Sequence, residues 1–141
     1  MKSSIIIFIY FLLISALTTS CRLDVVEPEP FDIEINQPFQ ENRLNYLNYE
    51  LNAENFSTSA VIPLNFSVSK ATLNLTLIGH SNGEVKVEIK DMGQSIVFRT
   101  ELSDNLPAYT RPLNEPHQSL LTITPNSFSG KLRIRITPRI E

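Results

Sequence analysis

Tryptophan is absent from the 141 residues, and only one cysteine and two histidines occur. A lone cysteine excludes an internal disulfide. With His80 and His117 as the only histidines, and no His-x-x-x-His, paired-cysteine or Gly-x-Ser-x-Gly arrangement, neither a zinc centre nor a serine hydrolase has a motif to rest on. The chain is therefore expected to be non-catalytic, with no metal and no cofactor. The lack of tryptophan also weakens a sugar platform built on large aromatic faces. Positive charge is short as well: 12 Lys and Arg stand against 15 Asp and Glu, a formal net charge of −3. Without an overall positive field, nucleic acid is not an expected partner.

What is present begins at the N-terminus. Lys2 precedes an uncharged apolar run, Ile5 to Leu17, and Thr18-Thr19-Ser20 then leads to Cys21. The run is shorter than the roughly 20 residues a bilayer requires and fits the core of a secretory signal. Residues 1–20 are expected to be removed.

At Cys21 the chain resembles the bacterial lipoproteins, whose signal is cut just before a cysteine that carries the lipid. Thr19 and Ser20 are small, as in that pattern; Thr18 stands where the family usually has Leu, and Leu17 lies one residue earlier. The resemblance implies acylation of Cys21, palmitate included, and a cell-envelope location held by an N-terminal lipid anchor. Acyl chains contribute about 0.8 kcal/mol per buried methylene, and two already hold stably. Arg22, in place of an acidic residue, points under the same resemblance to the outer membrane. The alternative is an ordinary signal cut after Ser20, which leaves a soluble secreted protein with a free thiol.

About 120 residues remain after the signal, the size of one domain. Residues 21–30 are acidic, contain Pro28 and Pro30 and lack an apolar period, as a tether would. Residues 31–141 are expected to form the domain, in eight strands. Phe31, Ile33 and Ile35 alternate with polar residues over 31–36; further strands are expected at 43–51, 62–68, 73–77, 85–90, 96–102, 121–124 and 131–137. Turns are expected at Gly79–Gly83, at Asp91–Gln94 and over 125–130. Pro63 places its strand at an edge or a bulge. Glu84, Lys86, Glu88 and Lys90 are expected to form a solvated face, with Leu75, Val87, Ile89, Ile134 and Ile136 buried.

Short strands at this spacing with no helix predict an all-β fold, an antiparallel two-sheet β-sandwich. The run from Leu73 through Gly83, Val85, Val87 and Ile89, with Gly93 and Val97, closed by Gly130, Leu132, Ile134 and Ile136, resembles the small jelly-roll domains of secreted bacterial proteins. Such a fold does not specify a function.

Two stretches are candidates for binding. Asn105 to His117, with Pro107, Pro112 and Pro116, is expected to be a long loop on which Tyr109, Arg111 and His117 could recognise a glycan or a peptide. Lys131, Arg133 and Arg135 alternate with Leu132, Ile134 and Ile136, a basic stripe on one strand face. That stripe could hold anionic lipid head groups or an acidic partner, or it could meet Asp32 and Glu34 if strand 31–36 pairs with strand 131–137. The function expected is a membrane-anchored interaction domain whose partner is an envelope protein or a glycan.

Overall fold

Two strands of uncommon length carry the architecture. The computed structural model describes residues 33–116 and 119–139, and among them β4 (Lys70–Lys90) and β7 (Leu120–Pro138) run for 21 and 19 residues, against about 5 or 6 for an ordinary strand. The others are β1 (Phe39–Arg43), β2 (Tyr46–Phe56), β3 (Ala60–Pro63), β5 (Ile96–Leu102) and β6 (Leu106–Asn114). The described residues contain no helix. All seven strands join in one antiparallel sheet of order β1-β2-β7-β4-β5, with β3 on β7 and β6 on β4.

The sheet has two halves that share β4 and β7. In one, Ala71–Ile78 pairs with Lys131–Pro138, flanked by β6 on one side and by β2 and then β1 on the other. In the other half, Glu84–Lys90 pairs with Leu120–Asn126, flanked by β5 and β3. Between the halves the register shifts twice, around Asn82. Gly79 and Gly83 there have φ of 62° and 71°, and Ser127 across from them has φ 45°. Those left-handed angles are the signature of a bulge, which bends a strand without ending it. The two turns expected at 79–83 and 125–130 are thus facing bulges, and the strands expected on either side of each are single long strands.

Inward residues follow the expected alternation. Leu73, Leu75 and Leu77, then Val85, Val87 and Ile89 on β4, and Leu132, Ile134 and Ile136 on β7 are each at most 1% exposed. Leu47, Tyr49 and Leu51 of β2 and Leu121 and Ile123 of β7 complete one hydrophobic cluster drawn from both halves. The five residues expected in the core are all there. Tyr49 is the exception in chemistry: its hydroxyl is buried without a hydrogen-bond partner, and burial pushes its pKa up to about 12.

Three other expectations need correction. Residues 33–36 are not a strand beside β7; Ile35 makes one parallel bridge to Asn52, on the side of β2 that carries β1. Asn36, at φ 60°, donates its amide to the Asn52 carbonyl at 2.7 Å, and its side chain bonds the Glu54 backbone twice. Phe31 and Asp32 lie outside the described residues. Residues 64–68 leave the strand after Pro63, although Leu64 and Phe66 stay buried. A side chain takes over their pairing: Asn45 Oδ1 accepts from the amides of Ser67 and Val68 at 2.7 and 3.3 Å. Pro63 does sit on an edge strand, since β3 pairs only with β7.

The third correction concerns 105–117, which is not a loop over most of its length. Residues 106–114 form β6, an edge strand against β4. Proline is tolerated where the missing amide would face away from the ladder. A register shift between Tyr109 and Leu106 adds one residue to β6, which gives Pro107 and Pro112 the same parity along the edge.

Candidate functional site

β6 also decides the fate of the first candidate surface. Tyr109 and Arg111 lie opposite Leu75 and Leu73, so both turn toward the side of the sheet that carries the core. Phe98 of β5 receives them. Its ring lies 6.3 Å from that of Tyr109, and the Arg111 guanidinium sits over it at 5.4 Å. Tyr109 is half-buried and Arg111 exposed, and both lie against Phe98 at the edge of the core. His117, the third member, lies outside the described residues, as does Cys21.

Arg133 and Arg135 have a different setting. On the outward face, Asn48 of β2, Arg135 of β7, Asn74 of β4 and Thr110 of β6 come into register as one row across four strands. Glu50, Arg133 and Thr76 form the next row. Glu50 is only 9% exposed and Asn48 only 6%. The Glu50 carboxylate accepts from Arg133 Nε at 2.8 Å and from Asn48 Nδ2 at 3.1 Å through the same oxygen, Oε1. Arg133 is therefore held by a carboxylate on β2, where Asp32 or Glu34 had been expected. The partner is of the expected charge and from another strand.

The carboxylate in the row of Arg135, Glu41 of β1, lies beyond Asn48 and is paired with Arg43. The immediate neighbours of Arg135 are the neutral amides of Asn48 and Asn74, and Asn74 Oδ1 accepts from Thr110 Oγ1 at 2.9 Å. Arg135 Nε and Asn48 Oδ1 are both buried with no hydrogen-bond partner. One is a charged donor and the other an acceptor, and leaving either unsatisfied costs about 1 to 3 kcal/mol or more. Natural interiors pair nearly all such groups, so two orphans on neighbouring strands single out this row among the outward residues. Sequence reading found the arginines by their alternation. It missed Asn48 and Asn74, which meet Arg135 only once β2, β7 and β4 are aligned.

The same face continues to a surface cavity of about 400 Å³. Asn52 and Lys131, the next outward pair after Glu50 and Arg133, line it together with Ile35, Glu54, Ser81 and Ser129. Among the described residues no group of three or more His, Cys, Asp or Glu is placed to hold a metal ion. His80, in the bulge, has its Nε2 2.9 Å from the Gly83 carbonyl. Asp91 accepts the Ser95 amide at 2.8 Å through Oδ1 and the Gln94 amide at 3.0 Å through its carbonyl, which closes the expected turn.

The outward face of the other half is not simply solvated. Glu88 is 6% exposed, with Lys90 at 3.0 Å, Arg99 at 2.5 Å and Lys86 at 3.6 Å. Hydrogen bonds from Lys90 and then Arg99 bring its carboxyl down from 4.5 to about 2. A folded-state pKa below the unfolded one contributes stability above about pH 4.5 that disappears as pH falls through about 2. Thermal melts from pH 5 to pH 2 should thus show a falling midpoint, and Glu88→Gln should flatten part of that fall. A variant with the wild-type slope would show that Glu88 is not the group responsible.

No protein-family model matches the chain, and no curated protein matches it.

Proposed function

We propose that this protein is a lipid-anchored, non-catalytic binding domain of the bacterial cell envelope, built as an antiparallel β-sandwich of the jelly-roll kind. The sandwich reading rests on the two sheet halves: they share β4 and β7, bend at the facing bulges, and send their apolar faces into one core. The anchor reading rests on the signal-like run and Cys21. The observation that carries the binding role is the outward row Asn48–Arg135–Asn74, where a buried donor and a buried acceptor lack partners on a rigid four-strand platform. Residues 105–117 have less support as the binding element, because Tyr109 and Arg111 are engaged with Phe98.

Both parts can be tested in bacterial cells expressing the protein. Wild-type protein should take up a labelled fatty acid and sediment with membranes, and Cys21→Ser should lose the label and appear in the soluble fraction. Unlabelled wild type would remove the anchor from the proposal. A photo-crosslinker placed at Thr76, on the binding face, should capture an envelope component, whereas one at Thr124, on the outward face of the other half, should not. Equal capture at both positions would remove the face.

A further inference from the structure

We infer that the row around Arg135 takes a carboxylate flanked by hydroxyl groups, the chemistry of a uronic acid residue in an acidic polysaccharide. The inference rests on the binding-domain reading and supplies the ligand class it leaves open. Arg135 offers a buried Nε donor with no acceptor, fixed in register between two amides. A carboxylate is the complement of a guanidinium, through paired, charge-assisted hydrogen bonds. Asn48 Oδ1, its neighbour across the β2–β7 ladder, needs a donor, which a carboxylate lacks and a hydroxyl has. Asn74 adds an amide donor on the opposite flank, its Oδ1 being occupied by Thr110.

The charges around the row agree. Glu50, the nearest carboxylate along β2, is bonded by Arg133 and Asn48, and Glu41, opposite Asn48 on β1, is paired with Arg43. The two carboxylates nearest the row are thus each met by an arginine; at the cavity Lys131 continues the positive stripe, and Glu54 is its acidic lining residue. A polysaccharide fits the platform better than a compact anion, because the row and the cavity lie along the same strands. Without tryptophan, recognition falls to hydrogen bonds and charge instead of ring stacking.

The test is calorimetric titration of the full-length protein in detergent with trigalacturonate, its methyl ester, neutral galactotriose and acetate. Trigalacturonate is expected to bind with a submillimolar Kd, and the ester, the neutral sugar and acetate to bind at least about tenfold more weakly, since each lacks the carboxylate or the hydroxyls. Arg135→Lys keeps the charge but not the fork, and should weaken binding by a similar factor with an unchanged melting midpoint. Lys86→Gln, which removes a positive charge from the other half, should leave binding intact. Equal binding of the ester, equal binding of acetate, or equal loss in Lys86→Gln would each overturn the inference, and the ligand comparison holds even if Arg135→Lys fails to fold. Absence of trigalacturonate binding while crosslinking at Thr76 persists would overturn the ligand class alone; loss of both would overturn the binding face.

Discussion

Gly83→Ala should destabilise the fold by about 3 kcal/mol or more, enough to remove much of the folded population of a marginally stable domain. Two effects act together. At φ 71° an L side chain is strained by about 1 to 2 kcal/mol wherever it stands. Here a Cβ would also collide with the backbone carbonyl oxygens of Ser127 and Asn126 on the facing strand. Neither atom can swing aside, because each belongs to β7, so the bulges would have to part. Gly79→Ala separates the two effects: its φ is 62°, and a Cβ there meets nothing within 4 Å. That variant should show the conformational strain alone, about 1 to 2 kcal/mol. Urea denaturation of the pair checks the argument, and equal costs would show that the close approach of β4 and β7 contributes nothing.

Ile134→Ala should cost about 2 to 5 kcal/mol. Ile134 is fully buried and stands between Tyr49 on β2 and Leu75 on β4, so truncation opens a cavity among side chains fixed by three aligned strands. Lys86→Ala, partly exposed on the opposite face of β4, should cost about half a kcal/mol or less by comparison. Similar midpoints for the two variants in thermal melts would mean that the inward and outward faces have been exchanged.

The phase of every buried strand was legible from alternation, because a period of two survives whatever the strand pairs with. Ile134 and Val87 are in the core for the reason the sequence suggests. Continuity was not legible. Gly79-His80-Ser81-Asn82-Gly83 has the composition of a turn, and nothing local reveals that residues 126–129 lie opposite and keep the ladder going. Prolines misled in the same way at β6, since Pro107 and Pro112 argue against a strand unless it is known to lie at an edge. β1 was missed because Phe39–Arg43 carries only one apolar residue, so no alternation could appear.

The candidate site was legible in half. A stripe of basic residues on one strand face follows from periodicity, and so does the need for acidic company. Which carboxylate answers depends on strand order, and Glu50 was hidden in a segment that could be assigned to a strand but not to a neighbour. Asn48 and Asn74 carry no signal of their own in a chain with this many asparagines. Only the pairing of β2, β7 and β4 brings them to Arg135.

The placement of β7 also sets an order of events. β2 and β3 reach the rest of the sheet only through β7, and the pair Leu47↔Ile136 joins residues far apart in the chain. As synthesis proceeds, β1 with β2 and β4 with β5 or β6 can form local hairpins, but no ladder links the first group to the second until β7 emerges. Folding dominated by such distant pairings is slow. Until β7 is made, the chain holds hairpins with open edges, and the last long strand made is the one that closes the sheet.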